Sequence, residues 1–165
     1  MTMAFTVWGV AQPKGSMRAF HPKGMKFPVV TDSNRNVKSW QQLVAAGASH
    51  ELQHLSLDQA SLLFAGPVRL TIAFHLPRPK KYQRRGVEPA HLTKPDASKL
   101  VRAVEDALTR VVYGDDAQVV ELVVAKRYAA IGDAPHVDIR VETTVGVQPV
   151  RVPAAPLPLF TGDAV

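Results

Sequence analysis

The residues best suited to chemistry lie between Lys94 and Lys126. Lys94-Pro95-Asp96-Ala97-Ser98-Lys99-Leu100 opens a helical pattern, and Val112-Tyr113-Gly114-Asp115-Asp116-Ala117-Gln118-Val119 follows it and enters a strand pattern. Asp96 therefore stands just before a helix, and Asp115 and Asp116 stand just after it. Carboxylates are the hard oxygen ligands that Mg2+ takes, with Mn2+ as the alternative. A divalent cation held there can activate water and stabilise charge on a phosphodiester being cut. Lys99 and Arg102 fall on the first turn or so of the same helix. A cation there can hold a phosphate or offset charge as it develops. Asp96, Asp115, Asp116, Arg102 and Lys99 are the candidate catalytic groups.

The elements that must position them follow from periodicity. Ser98 to Val112 is the clearest helix. Leu100, Val104, Ala107, Leu108 and Val111 make one apolar stripe, and Ser98, Arg102, Glu105 and Thr109 make a polar one. Val68 to Leu76 alternates apolar and polar residues, as a half-buried strand does. Phe5 to Val10, Val119 to Tyr128 and His136 to Thr144 also have strand character, with Gly132-Asp133 in a turn. Ser33 or Asn36 could cap a second helix running through Trp40 towards Leu52, with Gly47 inside it. Trp8 and Trp40 are expected in the core. The fold expected is α+β: a small mixed sheet with two principal helices. Residues 1–146 form the domain, and 147–165 form a flexible, disordered Pro-rich tail.

A helix packed antiparallel on its following strand does not by itself carry Asp96 to Asp115 and Asp116. Either a sheet neighbour or a dimer partner must close the cluster. Plainer roles are open to each residue. Asp96 or Ser98 could cap the helix, and Asp115-Asp116 could be a turn pair. Asp106 lies off the polar stripe and is expected to be structural. The six histidines show no spacing that suggests a metal site; His50 and His54 are an i, i+4 pair lacking a third ligand.

Composition limits the partners. The chain has 165 residues, a formal net charge of +6 and no cysteine. The surplus of positive charge favours polyanions, nucleic acid first. Thiolate zinc sites and disulfides are excluded. The N-terminus lacks the pattern of a signal peptide, and no apolar run approaches membrane-spanning length, so a cytoplasmic protein with no membrane partner is expected. Lys14, Arg18, Lys80, Lys81, Arg84, Arg85, Lys94 and Lys126 are candidate DNA-backbone contacts, which position DNA without reading sequence.

The stretch from Lys94 to Lys126 resembles the RusA family of Holliday junction resolvases. The family signature is a Lys-Pro-Asp-x-Asp-Asn/Lys-Leu opening, a helix ending in Asp-Ala-Leu, and an Asp-Asp-x-Gln-Val entering a strand. Weaker similarity covers Val7 to Arg18, with its Pro13-Lys14-Gly15 turn, and Pro77-Arg78-Pro79-Lys80. The resemblance implies a homodimeric, Mg2+-dependent endonuclease that cuts branched DNA such as Holliday junctions. It places Arg102 at the family's catalytic basic position. A four-way junction is approached two-fold and needs paired nicks, which two related active sites supply.

One position departs from the family pattern. Ser98 stands where relatives carry a second Asp, and a hydroxyl is a weaker ligand with no charge. Glu105 lies seven residues on, where relatives are usually apolar, with about 10.5 Å of helical rise between them. Helical side chains lean towards the N-terminus and Glu is long, so part of that gap closes. The expectation is that Glu105 supplies the missing carboxylate, with Ser98 holding one of the cation's waters. The alternative is a non-catalytic branched-DNA binding protein with a degraded metal site. In the tail, Pro156-Leu157-Pro158-Leu159-Phe160 resembles the peptide by which bacterial proteins dock on the DNA polymerase sliding clamp. Leu157, Leu159 and Phe160 would be its anchors. A clamp-recruited interaction module is the third possibility.

Overall fold

The computed structural model describes residues 1–55, 64–83 and 88–144. Four strands form one mixed sheet: β1 (Thr2–Trp8), β4 (Val68–Leu76), β5 (Val119–Tyr128) and β6 (His136–Thr143), in the order β1-β6-β4-β5. β6 is antiparallel to both β1 and β4, whereas β4 and β5 are parallel. A parallel pair needs a crossover, and α2 (Ala97–Leu108) lies within it. The other long helix, α1 (Val37–His54), packs beside α2 and against β1. A separate hairpin joins β2 (Met17–Phe20) to β3 (Val29–Asp32).

Alternation decides which sheet face is covered. Leu70, Ile72 and Phe74 on β4 and Val137, Ile139 and Val141 on β6 are buried in the same core as Val44, Leu100, Val104 and Leu108 of the helices. Arg69, Thr71, Ala73 and His75 of β4 point to the opposite face, as the period of two requires. Gly47 sits where α1 crosses β1. A Cβ there would meet the Phe5 ring at 3.2 Å, so the missing side chain allows the close approach. Among the described residues, no helix is long and apolar enough to cross a membrane.

The mixed sheet and two principal helices agree with the sequence reading, but several details differ. The Ser98–Val112 helix starts at Ala97 and ends at Leu108. The chain leaves the helix at Thr109, whose ψ is 129°, and Arg110 then takes a left-handed φ of 65°, while the Val112 amide donates a hydrogen bond back to the Leu108 carbonyl. Trp8 is not in the core: it is 63% exposed, because it occupies the outward phase of β1, while Trp40 is buried. Met17–Phe20, to which the sequence reading assigned no strand, is half of the β2–β3 hairpin. The expected tail, 147–165, lies outside the described residues, as do Arg84, Arg85, Leu157, Leu159 and Phe160.

Candidate functional site

Asp96 occupies the N-cap position of α2, with extended backbone angles, and its carbonyl accepts the first helical bond from the Leu100 amide at 3.2 Å. Its side chain makes no capping bond. The carboxylate is 55% exposed and lies 3.8 Å from the ammonium of Lys99, one helical turn on. It is thus a cap by position but leaves its oxygens available for other ligands. Ser98 and Arg102 are exposed on the same helix.

The loop that delivers Asp96 is held from below. Lys126, on the helix-facing side of β5, donates to the carbonyls of Thr93 at 2.9 Å and Pro95 at 3.0 Å. From the other side, the amide of Lys14 donates to the Lys99 carbonyl at 2.9 Å, so the Pro13-Lys14-Gly15 turn sits on the first turn of α2. That turn is itself fastened by Asp32, whose carboxylate accepts from the Gly15 amide at 2.9 and 3.1 Å and from the Asn34 amide at 2.7 Å. A Cβ on Gly15 would fall 2.4 Å from the Asp32 carboxylate and 2.7 Å from the Asn34 nitrogen, so only glycine fits. Lys14, Gly15, Asn34, Lys94, Asp96 and Lys99 line an open cleft at this end of the helix.

A second acidic group forms near the other end of α2. Glu105 is half-buried, and its carboxyl holds its proton more tightly than an ordinary glutamate. Burial is the main cause, followed by the nearby carboxylates of Asp116 and Asp106, with Arg102 opposing. Tyr113, fully buried, has its hydroxyl proton affinity raised by burial and then by Glu105 and Asp116. Asp106 pairs with the ammonium of Lys14 and accepts from the Gln41 amide at 3.2 Å.

Asp115 and Asp116 differ in their commitments. Asp115 caps the short 3-10 turn Asp116–Gln118, accepting from the Ala117 amide at 2.9 Å. Gln118 completes that capping box and holds the turn to the body of the protein. Its oxygen accepts from the Gly114 and Asp115 amides, and its nitrogen donates to the carbonyls of Phe64 and Gly66. Asp116 is exposed, and its side chain has no hydrogen bond or ion pair among the described residues.

The structure therefore brings Asp96, Lys99, Lys94 and the Lys14 turn together at one end of α2, whereas Glu105, further along the helix, is influenced by the charges of Asp116, Asp106 and Arg102. The nine residues from Asp96 to Glu105 correspond to about 13.5 Å of helical rise. Among the described residues, Asp96, Glu105, Asp115 and Asp116 do not gather three carboxylates close enough to hold one metal ion.

The remaining cations are distributed unevenly. Lys80 and Lys81 are exposed on the 3-10 turn Lys80–Tyr82, with the Lys81 ammonium 4.7 Å from the Tyr82 ring centroid. Arg18 falls on β2, where only the backbone is described. Arg78 is nearly buried, bonding the Ala129 and Tyr82 carbonyls and the Glu88 carboxylate. Sequence reasoning passed over Gln118 and Asp32, whose roles depend on partners more than 15 residues away. It also expected no histidine site. Yet His75, His136 and Asp138 offer three ligand atoms within 4.8 Å of one another. They belong to two paired strands, so their convergence depends on register.

The comparisons agree with the resemblance of the helix–strand motif. The family model described as Endodeoxyribonuclease RusA matches residues 11–142. The chain is also 34% identical over 149 residues to the uncharacterized protein YqaN of Bacillus subtilis (strain 168), an alignment covering 83% of this chain and 93% of that protein.

Proposed function

Because the chain belongs to the RusA endodeoxyribonuclease family, we propose that it is a Mg2+-dependent, structure-selective endonuclease that cuts branched DNA by paired nicks as a homodimer. The observation that supports this reading is Asp96 at the N-cap of α2: its carboxylate makes no capping bond, is half exposed and lies 3.8 Å from the Lys99 ammonium, leaving its oxygens available to a divalent cation. The half-buried Glu105 adds a carboxyl whose proton affinity is raised by burial first and by Asp116 second.

In this reading Asp96 and Asp116 are the principal ligands, with Asp96 brought to Asp116 across the dimer because α2 and β5 set them at opposite ends within one protomer; Glu105 and Asp115 assist, and Ser98 contributes its hydroxyl. Mn2+ can replace Mg2+. When bound, the cation activates water and offsets charge on the phosphate under attack. Lys99 and Arg102, on the same exposed face of α2, hold that phosphate. Lys126 and the Lys14 turn position the helix N-terminus on which Asp96 stands. Lys80, Lys81 and Lys94 contact the backbone of the DNA arms, with Arg18, Arg84 and Arg85 as further contacts. The tail residues Leu157, Leu159 and Phe160 dock on the sliding clamp.

A four-way DNA junction and a linear duplex of the same sequence, each incubated with and without Mg2+, test the reading. It requires symmetrical nicks on the junction only when Mg2+ is present. Salt-sensitive junction binding without cleavage would favour the second reading, a branched-DNA binding protein weakened at Ser98. That reading draws support from the spread of the four carboxylates.

A further inference from the structure

On the open face of the sheet, opposite the helices, β4 and β6 set His75 directly across from His136. Asp138 lies two residues beyond His136, hence on the same face. The Asp138 Oδ2 is 3.2 Å from His75 Nε2 and 3.8 Å from His136 Nε2. One atom from each of the three side chains lies within 4.8 Å of the others. A tetrahedral zinc ion with bonds of about 2.0–2.1 Å needs its ligand atoms roughly 3.3 Å apart. The imidazoles stack nearly parallel, with centroids 4.2 Å apart and an 11° interplanar angle, which carries both to the same carboxylate. With His136 held by its backbone partner, a turn of the His75 ring about its Cβ–Cγ bond is what aims the second lone pair at the ion.

The surroundings are those of a metal site. The His136 Nδ1 is 2.9 Å from the Ala134 carbonyl, which selects the tautomer that leaves Nε2 as a ligand. Thr6 on β1 donates its hydroxyl to Asp138 Oδ1 at 2.7 Å, leaving Oδ2 turned to the imidazoles. Trp8 packs against His136 at 4.8 Å and forms a wall. Both imidazoles are mostly buried, while Asp138 is about half exposed, so an ion has a route in.

We propose that His75, His136 and Asp138 bind a borderline divalent transition metal of the zinc class, with one position open to solvent. Two imidazole nitrogens favour such an ion over Mg2+, so this site is chemically distinct from the carboxylates of α2 and lies on the other face of the sheet. It clips β4 to β6, and β1 through Thr6. The proposal does not depend on the nuclease reading.

The test uses the full chain free of affinity-tag histidines, stripped of metal and titrated with Zn2+ against a chromophoric chelator. One equivalent binds, and thermal unfolding moves upward. His75→Gln and His136→Gln each weaken binding at least about 100-fold and Asp138→Asn at least about 10-fold, since losing even a residue behind a ligand costs about 10–100-fold. The exposed pair His50 and His54, with Nε2 atoms 3.2 Å apart, is the competing surface site. A His50→Gln/His54→Gln double variant therefore retains the equivalent. Nitrogen-15 spectra of the unmodified protein guard against misfolded variants: Zn2+ shifts the Nε2 resonances of His75 and His136. Absence of uptake, leaving a hydrogen-bonded His–Asp cluster only, overturns the proposal. So does uptake that survives both single His variants, or uptake lost only with His50 and His54.

Discussion

The ammonium of Lys126 lies 3.0 Å from the carbonyl oxygen of Pro95, so the far end of β5 grips the residue before Asp96. β5 begins three residues after Asp116 and ends beside the loop of Asp96, while α2 runs the opposite way, from Asp96 towards Glu105. The two elements together frame the acidic face. Lys126 is thus a positioning residue, and its charge is directed into the protein. Lys126→Met should cost about 1.5–3 kcal/mol, the range for hydrogen bonds to charged groups. Urea unfolding measures this. Junction cleavage should fall further than junction binding, and Lys126→Arg should recover part of the cleavage.

Gly15 sets the height of the Pro13-Lys14-Gly15 turn over α2. Gly15→Ala forces a methyl group into the Asp32 carboxylate and the Asn34 backbone. Overpacking of this kind costs about 1–3 kcal/mol. The drop in stability is expected with a weaker response to Mg2+, because the turn bonds the Lys99 carbonyl beside Asp96. Chemical unfolding with a parallel Mg2+ titration of cleavage checks both.

Glu105 makes stability depend on pH in a defined direction. Its folded carboxyl binds a proton more tightly than the unfolded chain, whose value is near 4.5, owing first to burial and then to Asp116. The folded state therefore holds more protons between the two values, and stability contributed by the protonated form is lost as pH rises through the folded value. Glu105→Gln should flatten that slope and raise the melting temperature at neutral pH in metal-free buffer. It should also weaken the Mg2+ dependence of cleavage. Melting curves across mildly acidic to neutral pH reveal the slope.

Ser98 is exposed on the first turn of α2, at a helix N-terminus that favours negative charge by about 0.3–1 kcal/mol. Ser98→Asp should therefore fold at least as well as the natural chain. It should also lower the Mg2+ concentration needed for half-maximal cleavage. An unchanged metal requirement, measured by titration on a four-way junction, would show that Ser98 lies outside the ligand set.

The sequence carried much of this framework where periodicity was strong. Val68–Leu76 alternates clearly enough to define β4, and the β-branched run of Val119–Tyr128 marks β5. The Leu100, Val104 and Leu108 stripe identified the buried side of α2. The end of that helix was less visible, because the left-handed Arg110 bears no glycine or proline signal. The β2–β3 hairpin is short and lies among turn-forming residues, so local composition concealed it. Trp8 was misplaced because size suggests burial, whereas strand phase puts its ring outside.

Partners distant in the chain were the hardest to read. Asp32 beneath Gly15, Gln118 against Phe64, and His75 opposite His136 each require the pairing of segments that no local pattern specifies. The Lys94–Gln118 motif was legible because its residue types and spacings recur together. The distance between its acidic groups depends on how α2 and β5 lie against each other, which spacing alone does not encode.

Single-turnover cleavage of a four-way DNA junction, followed as Mg2+ is titrated into the wild-type chain, Asp96→Asn and Asp116→Asn, tests the central claim most directly. The account predicts Mg2+-dependent paired nicks by the wild type. Each variant should lose at least about 100-fold in rate, equivalent to several kcal/mol of charge stabilisation, while keeping junction affinity. Wild-type rates in either variant, or equal cleavage in the presence of a chelator, would contradict it.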